Sequence, residues 1–271
     1  MNETKLDGKI AIVTGAGSDI GLGWNMTQAL LEAGARVALV DVDSTALEAR
    51  SAEARRISGA EGGFTTITAD VTSYADGTRA VATAVERLGG LHILVNNAGI
   101  NLAAGASFWD LDPQHWLRTI ATNLTGPFLM ARAAVEHMRA QRWGRIIGVT
   151  TSFDTMLRAA PYGPAKAGHE ALIAVMAREL EGSGVTANVL VPGGATLTNM
   201  TAGRRDATGL LRPEVMQKPV IWLASADSDG FNGRRIIGKF WDDALPIAQR
   251  LEKASWPVAW PELERLASSQ R

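Results

Sequence analysis

A short apolar run, Lys9 to Thr14, leads straight into Gly15-Ala-Gly-Ser-Asp-Ile-Gly21-Leu-Gly23, and this junction constrains the chain more than any other stretch. The run reads as a buried parallel strand. Helical character follows from Trp24 to Ala33, and Gly34 closes that helix as a C-cap does. Arg36 to Asp41 is a second strand, and it ends in a carboxylate. Strand, glycine loop, helix, strand, acid is the order of a dinucleotide-binding βαβ unit. Glycines let the backbone turn tightly and approach a pyrophosphate, and the helix N-terminus offers N–H groups and partial positive charge. Asp41 stands 18 residues after Gly23, close to the spacing expected of the acid that binds the adenosine ribose. Its carboxylate can accept both ribose hydroxyls and would repel a 2′-phosphate.

The alternation continues. The pattern predicts helices over 43–57 and 73–88 and strands over 64–69 and 91–95, the last running into Asn96-Asn97-Ala98-Gly99. A long helix is expected from the N-cap Asp112 and Pro113 to about Arg139, carrying Asn123 and holding Gly126-Pro127 inside it. Then come a strand over 145–150, a helix over 162–181, a strand over 185–191 ending at Pro192-Gly193-Gly194, a helix over 213–224 and a last strand over 234–238. Such alternation without internal repeats implies a doubly wound parallel sheet with helices on both faces, whose ligands bind at the carboxyl ends of the strands.

Length and composition narrow the function. At 271 residues and 46% hydrophobic, the chain suits one large α/β domain, placed at 1–241, with 242–271 as a C-terminal extension. A net charge of -1 argues against a nucleic acid or polybasic membrane partner. Zero cysteines exclude disulfides, thiolate catalysis and Cys-based zinc sites. His92, His115, His137 and His169 are scattered without metal-ligand spacing, so no metal is expected. The N-terminus is polar, no stretch suits a membrane span, and a soluble cytoplasmic protein is the expectation.

Pro161-Tyr162-Gly163-Pro164-Ala165-Lys166 carries the chemistry. If a helix begins here, Tyr162 and Lys166 stand one turn apart on one face, with both prolines where a backbone N–H would lack a helical partner. An ammonium beside a phenol favours the phenolate, so the pair predicts a lowered Tyr162 pKa and proton exchange with an alcohol or carbonyl near neutral pH.

Together the Thr14-Gly15 glycine loop, Asp70-Val71, Asn96-Asn97-Ala98-Gly99, Asn123, Tyr162-x-x-x-Lys166 and Pro192-Gly193 resemble the short-chain dehydrogenase/reductase superfamily over roughly residues 7–240. The resemblance implies a Rossmann-like, three-layer αβα fold. It implies hydride exchange between a nicotinamide cofactor and a carbinol carbon, with Tyr162 as general acid/base. Lys166 would bind the nicotinamide ribose and lower the tyrosine pKa, and Asn123 would hold a relay water. Gly15, Ser18, Ile20, Gly21 and Gly23 would meet the cofactor at the glycine loop. Asp70 and Val71 would border the adenine, and Asn97, Ala98 and Gly99 would line the cleft. Pro192, Gly193 and a threonine, Thr198 or next Thr196, would flank the carboxamide. Asp41, with no basic residue at Ser18, points to NAD. An NADPH-dependent 3-oxoacyl-type reductase and a non-catalytic dinucleotide sensor are the alternatives. Family members pair as dimers or tetramers through the helices bearing Asn123 and Tyr162 and through the last helix and strand, so a homodimer or homotetramer acting on a small alcohol, ketone or sugar-like molecule is expected.

The chain departs from the family pattern in four places. The glycine loop is two residues longer, best read as an insertion of Asp19-Ile20. The hydroxyl expected after the fifth strand falls on Thr151 by counting, with Ser152 next to it, and either one is a candidate. Ala165 replaces a frequent serine. The usual ending gives way to a tail with Trp256, Trp260, Val258, Leu263 and Leu266, expected to be ordered across a subunit interface, over a substrate mouth, or on its own subunit. Around the substrate, Arg204 and Arg205 are either anion ligands or solvated loop residues, and Phe153, Met156 and Leu157 either pocket wall or core.

Overall fold

The computed structural model describes residues 5–59, 62–103, 105–201 and 208–260. Strand β1 (Ile10–Thr14) feeds helix α1 (Leu22–Glu32), then β2 (Arg36–Asp41), α2 (Ser44–Ser58), β3 (Phe64–Thr68), α3 (Tyr74–Leu88) and β4 (Ile93–Asn96). Helix α4 (Pro113–Ile120) runs through a wider π-type turn (Ala121–Thr125) into α5 (Gly126–Ala140). Next come β5 (Gly144–Val149), α6 (Phe153–Arg158), α7 (Tyr162–Glu179), β6 (Val185–Val191), α8 (Gln217–Ala224), β7 (Arg234–Ile237), α9 (Ile247–Ala254) and β8 (Ser255–Pro257). The sheet order is β3-β2-β1-β4-β5-β6-β7-β8, parallel throughout except for the last pair. Strand order reverses between β1 and β4, and that crevice is where ligands of open α/β sheets bind.

The strands read as apolar runs because both faces are covered. On one face Ala80, Val81, Met130, Ala134, Ile173 and Ala177 of α3, α5 and α7 pack on the sheet. On the other, Trp24, Leu30, Leu47, Trp222 and Leu223 of α1, α2 and α8 do so. Helix starts follow their caps: Asp43, Ser73 and Asp112 each accept a backbone N–H within the first turn. No described helix is long and apolar enough to cross a membrane.

Two differences from the sequence reading have local causes, and the tail takes one of the places expected for it. The long helix from Asp112 is interrupted at 121–125 because Pro127 has no N–H for the Asn123 carbonyl four residues back. The stretch before Tyr162 holds the short helix α6, started by the Ser152 side chain. The tail folds back on its own subunit: β8 pairs antiparallel with β7, Arg235 opposite Trp256, and Val258 is buried. The backbone turns at Ala259 and Trp260, both in the left-handed region, and brings the Trp260 ring 5.7 Å from that of Phe153. Leu263 and Leu266 lie outside the described residues, as do Arg204 and Arg205.

Candidate active site

The glycine loop, the acid and the start of α1 converge. The Gly17 N–H donates to Asp41 Oδ2 at 2.9 Å, so the carboxylate ending β2 sits against the loop leaving β1. Gly21 is the N-cap of α1 and no side chain caps that end, which leaves its N–H groups facing the cleft. A Cβ on Gly23 would lie 2.2 Å from the Gly15 carbonyl oxygen and 2.5 Å from Asn97 Nδ2. Gly21 and Gly23 thus both stand at the start of α1. Asp19 and Ile20 are exposed, and Ser18 Oγ and Asp19 Oδ1 accept Asn199 Nδ2 at 2.9 and 3.3 Å. That bridge ties the loop after β6 to the glycine loop.

The Asn96–Gly99 segment serves mainly as scaffold. Asn97 Nδ2 donates to the Thr14 and Gly15 carbonyls at 2.9 and 3.1 Å, and the N–H groups of Asn97 and Ala98 both reach Thr14 Oγ1 at 3.0 Å. These bonds lock the end of β4 to the end of β1. Asn123 is fully buried in the π-type turn; its Oδ1 accepts from Ile100 N at 3.0 Å and its Nδ2 donates to Ile100 O at 2.7 Å. A Cβ on Gly99 would stand 2.7 Å from Asn123 Oδ1 and 3.4 Å from Lys166 Nζ, so only glycine leaves the space between them open. Asp70 is exposed and bonded to Thr72, and Val71 is buried under Gly126.

Tyr162 is the first residue of α7, after the N-cap Pro161, and Lys166 follows one turn later on the same face. Lys166 Nζ donates to the Val149 carbonyl at 2.8 Å and lies 5.6 Å from the Tyr162 ring centroid. The expected lowering of the Tyr162 pKa is not a property of this structure. Burial disfavours both charged forms, pushing the phenol up to about 12 and the ammonium down to about 8. His169, one helical step beyond, is fully buried and held well below the usual imidazole range by burial and by Lys166.

The two candidate hydroxyls after β5 are distinguished by their partners. Ser152 Oγ accepts the Thr155 N–H at 3.2 Å and pairs with Thr155 Oγ1 at 2.9 Å, which commits it to starting α6. Thr151 is half-exposed, and among the described residues its hydroxyl has no hydrogen-bond partner. Beyond β6, Gly193 is left-handed, where a Cβ would meet Ile237 Cγ2 at 2.5 Å. The Pro192 carbonyl accepts Lys239 N–H at 3.0 Å. Thr196 is buried and turned back on the Gly194 carbonyl, whereas Thr198 is half-exposed. A cavity of about 240 Å³ opens beside this end of the sheet, lined by Ser152, Phe153, Gly193, Trp256 and Trp260 among others. Phe153 is pocket wall, Met156 is buried, and Leu157 is exposed.

Residues 9–209 match the family model described as short chain dehydrogenase. The chain belongs to the short-chain dehydrogenase family. It is 38% identical over 199 residues to the 2-(S)-hydroxypropyl-CoM dehydrogenase 3 of Xanthobacter autotrophicus, covering 72% of this chain and 75% of that one. It is 32% identical over 249 residues to a 3-oxoacyl-[acyl-carrier-protein] reductase of Vibrio harveyi, covering 85% and 96%. Among solved structures, a gluconate 5-dehydrogenase from Burkholderia cenocepacia, in complex with NADP and tartrate, superposes with a TM-score of 0.77 at 29% identity, covering 86% and 94%. This short-chain dehydrogenase is therefore an alcohol dehydrogenase/ketone reductase acting on CH–OH donors with a nicotinamide dinucleotide, and the Asp41-flanked glycine loop fits such a group.

Three residues of the site escaped the sequence reading. Glu170 had a usable signal, since it lies at i+8 from Tyr162 and i+4 from Lys166. Arg235 and Asn199 had none, being distant in sequence from what they touch.

The buried lysine yields a pH prediction. The unfolded chain holds the lysine proton up to its ordinary pKa of 10.5, the folded chain only up to about 8. Over that window the unfolded state binds more protons, so stability rises with pH. Tyr162 acts oppositely from 10.0 to about 12. Urea midpoints should climb between about pH 8 and 10 in the wild type, and Lys166→Met should abolish the climb.

Proposed function

We propose that the chain is an NAD-dependent oxidoreductase exchanging hydride between nicotinamide and a small secondary alcohol or sugar-like ketone, with Tyr162 as general acid/base. Lys166 would hold the nicotinamide ribose, and Asn123 would hold a relay water beside Gly99. Thr151 rather than Ser152 would bond the substrate oxygen, because the Ser152 hydroxyl is committed to α6. Burial keeps the phenol protonated at neutral pH, the form that donates to a carbonyl oxygen. The bound cofactor supplies the hydride exchange; the protein supplies position, exclusion of water and the proton.

The NAD preference rests on one observation, the Asp41 carboxylate bonded to the glycine loop at Gly17. A fixed carboxylate repels a phosphate dianion and accepts ribose hydroxyls. Titrating NAD and NADP should show NAD tighter by about tenfold or more, or ~1.4 kcal/mol. Asp41→Ala should narrow that gap, and tighter NADP in the wild type would overturn the assignment. NADPH-dependent ketone reduction is the second reading, favoured by the NADP in the gluconate 5-dehydrogenase structure.

Trp116, Leu117, Phe128 and Val175 on α4, α5 and α7 are exposed large apolar residues. That surface supports a homodimer or homotetramer through these helices, and mass measurement in solution tests it.

A further inference from the structure

The cavity beside the tail is floored by an ion pair that neither the glycine loop nor the Tyr162–Lys166 pair needs. Arg235 on β7 and Glu170 on α7 form a salt bridge, and both are buried, at 8% and 0% exposure. Arg235 Nη2 also donates to the Thr151 carbonyl at 2.6 Å, and Thr150 Oγ1 donates to Glu170 Oε2 at 3.4 Å. One residue earlier, the Val149 carbonyl takes the Lys166 ammonium. Three consecutive residues at the end of β5 are thus each fastened to α7, the first two directly and Thr151 through Arg235. Glu170 continues the helix face of Tyr162 and Lys166 at the same four-residue spacing. The tail seals this contact: Arg235 pairs with Trp256 in the sheet, and Trp256 and Trp260 wall the cavity over both charges.

A buried ion pair is poor value for stability, because desolvating two charges offsets their attraction, and apolar replacements of similar volume are often as stable or more so. The Ala259 backbone N–H at the turn of the tail also acts on the Glu170 carboxylate, so the tail braces the pair. Its geometry has a clearer consequence. The guanidinium fork spans from Glu170 on α7 to the backbone carbonyl of Thr151, the residue assigned to the substrate oxygen in the reading above, and so ties the end of β5 to the helix that begins at Tyr162. Lysine, a single ammonium on a flexible stem, has no such fork.

We propose that Glu170 and Arg235 are positioning residues that hold the Thr151 hydroxyl in register with Tyr162. The inference rests on the dehydrogenase reading above. The assay uses the alcohol that the wild type oxidises fastest in a panel of secondary alcohols. Arg235→Lys and the double variant Glu170→Met/Arg235→Met should each lower kcat by about tenfold to a hundredfold, the scale set by small misplacements of reacting groups. Nucleotide Kd should stay within about twofold, since the pair touches no residue of the glycine loop. The double variant should melt at or above the wild-type temperature, which a purely structural pair would not allow together with lost kcat. In a Thr151→Ala background the double substitution should produce no further loss, because the hydroxyl being positioned is gone. Wild-type kcat in a folded double variant overturns the proposal, and so does an undiminished further loss in the Thr151→Ala background. If the double variant fails to fold, Arg235→Lys decides alone. Tyr162→Phe run beside them separates the two levels: if it retains turnover the dehydrogenase reading fails, and if it is inactive while the pair variants are normal only the positioning role fails.

Discussion

Tyr162→Phe should reduce turnover by about 10²–10⁴-fold, the range associated with loss of a positioned general acid/base, while NAD binding stays close to wild type. The substitution removes one oxygen and leaves the ring, which is already half-buried at the start of α7. Because burial holds the phenol up to about 12, the wild type carries a protonated Tyr162 in the free state across the neutral range. Loss of activity in the variant should therefore appear in kcat, with nucleotide Kd measured directly by titration. Near-normal turnover would mean that another group moves the proton. His169 is a poor replacement, since it is fully buried and its pKa is held well below neutral.

The second large effect is expected at Gly23. A methyl group there would sit 2.2 Å from the Gly15 carbonyl oxygen and 2.5 Å from Asn97 Nδ2, neither of which has room to retreat. The first belongs to the loop backbone, and the second is bonded to both Thr14 and Gly15. Gly23→Ala must open the junction of β1, β4 and α1, at a cost of about 1–3 kcal/mol or more for overpacking. The N-terminus of α1 would shift away from the loop with it. Nucleotide affinity should fall by at least about tenfold even in the protein that remains folded, measured by titration alongside the unfolding midpoint. Unchanged affinity with an unchanged midpoint would show that the loop does not hold the dinucleotide.

Most of the architecture was legible in the chain because it is encoded locally. Apolar runs of strand length, helical periodicity and glycine or proline punctuation located β1 to β7 and the helices between them other than α6 to within a few residues, while α9 and β8 were not expected. Boundaries slipped where a single group decides them: Pro127 widens the turn around Asn123, and the Ser152 side chain starts a helix where a loop was expected. The six residues of α6 place Phe153, Met156 and Leu157 at helical spacing, but about one and a half turns are too few for periodicity alone to identify a helix.

The candidate site divides along the same line. The order of glycine loop, Asp41, Asn123, Tyr162 and Lys166 is a property of sequence, since spacing along a helix or at a strand end places each group without knowledge of its neighbours. What those groups experience is tertiary. The direction of the Tyr162 shift reversed because burial, which no local pattern encodes, outweighs an ammonium that is turned toward Val149. Thr151 and Ser152 are adjacent and chemically alike, and only the contact with Thr155 tells them apart. The tail read as an apolar segment needing a surface, and the open edge of β7 supplied one. Glu170 and Arg235 are 65 residues apart, and their pairing exists only because the parallel sheet brings β7 beneath α7. By itself the sequence determined which chemistry the chain carries and on which elements, because those signals are short-range. Tertiary structure decided the direction of the Tyr162 and Lys166 shifts and the burial of the ion pair, because each depends on the dielectric and the neighbours that distant segments provide.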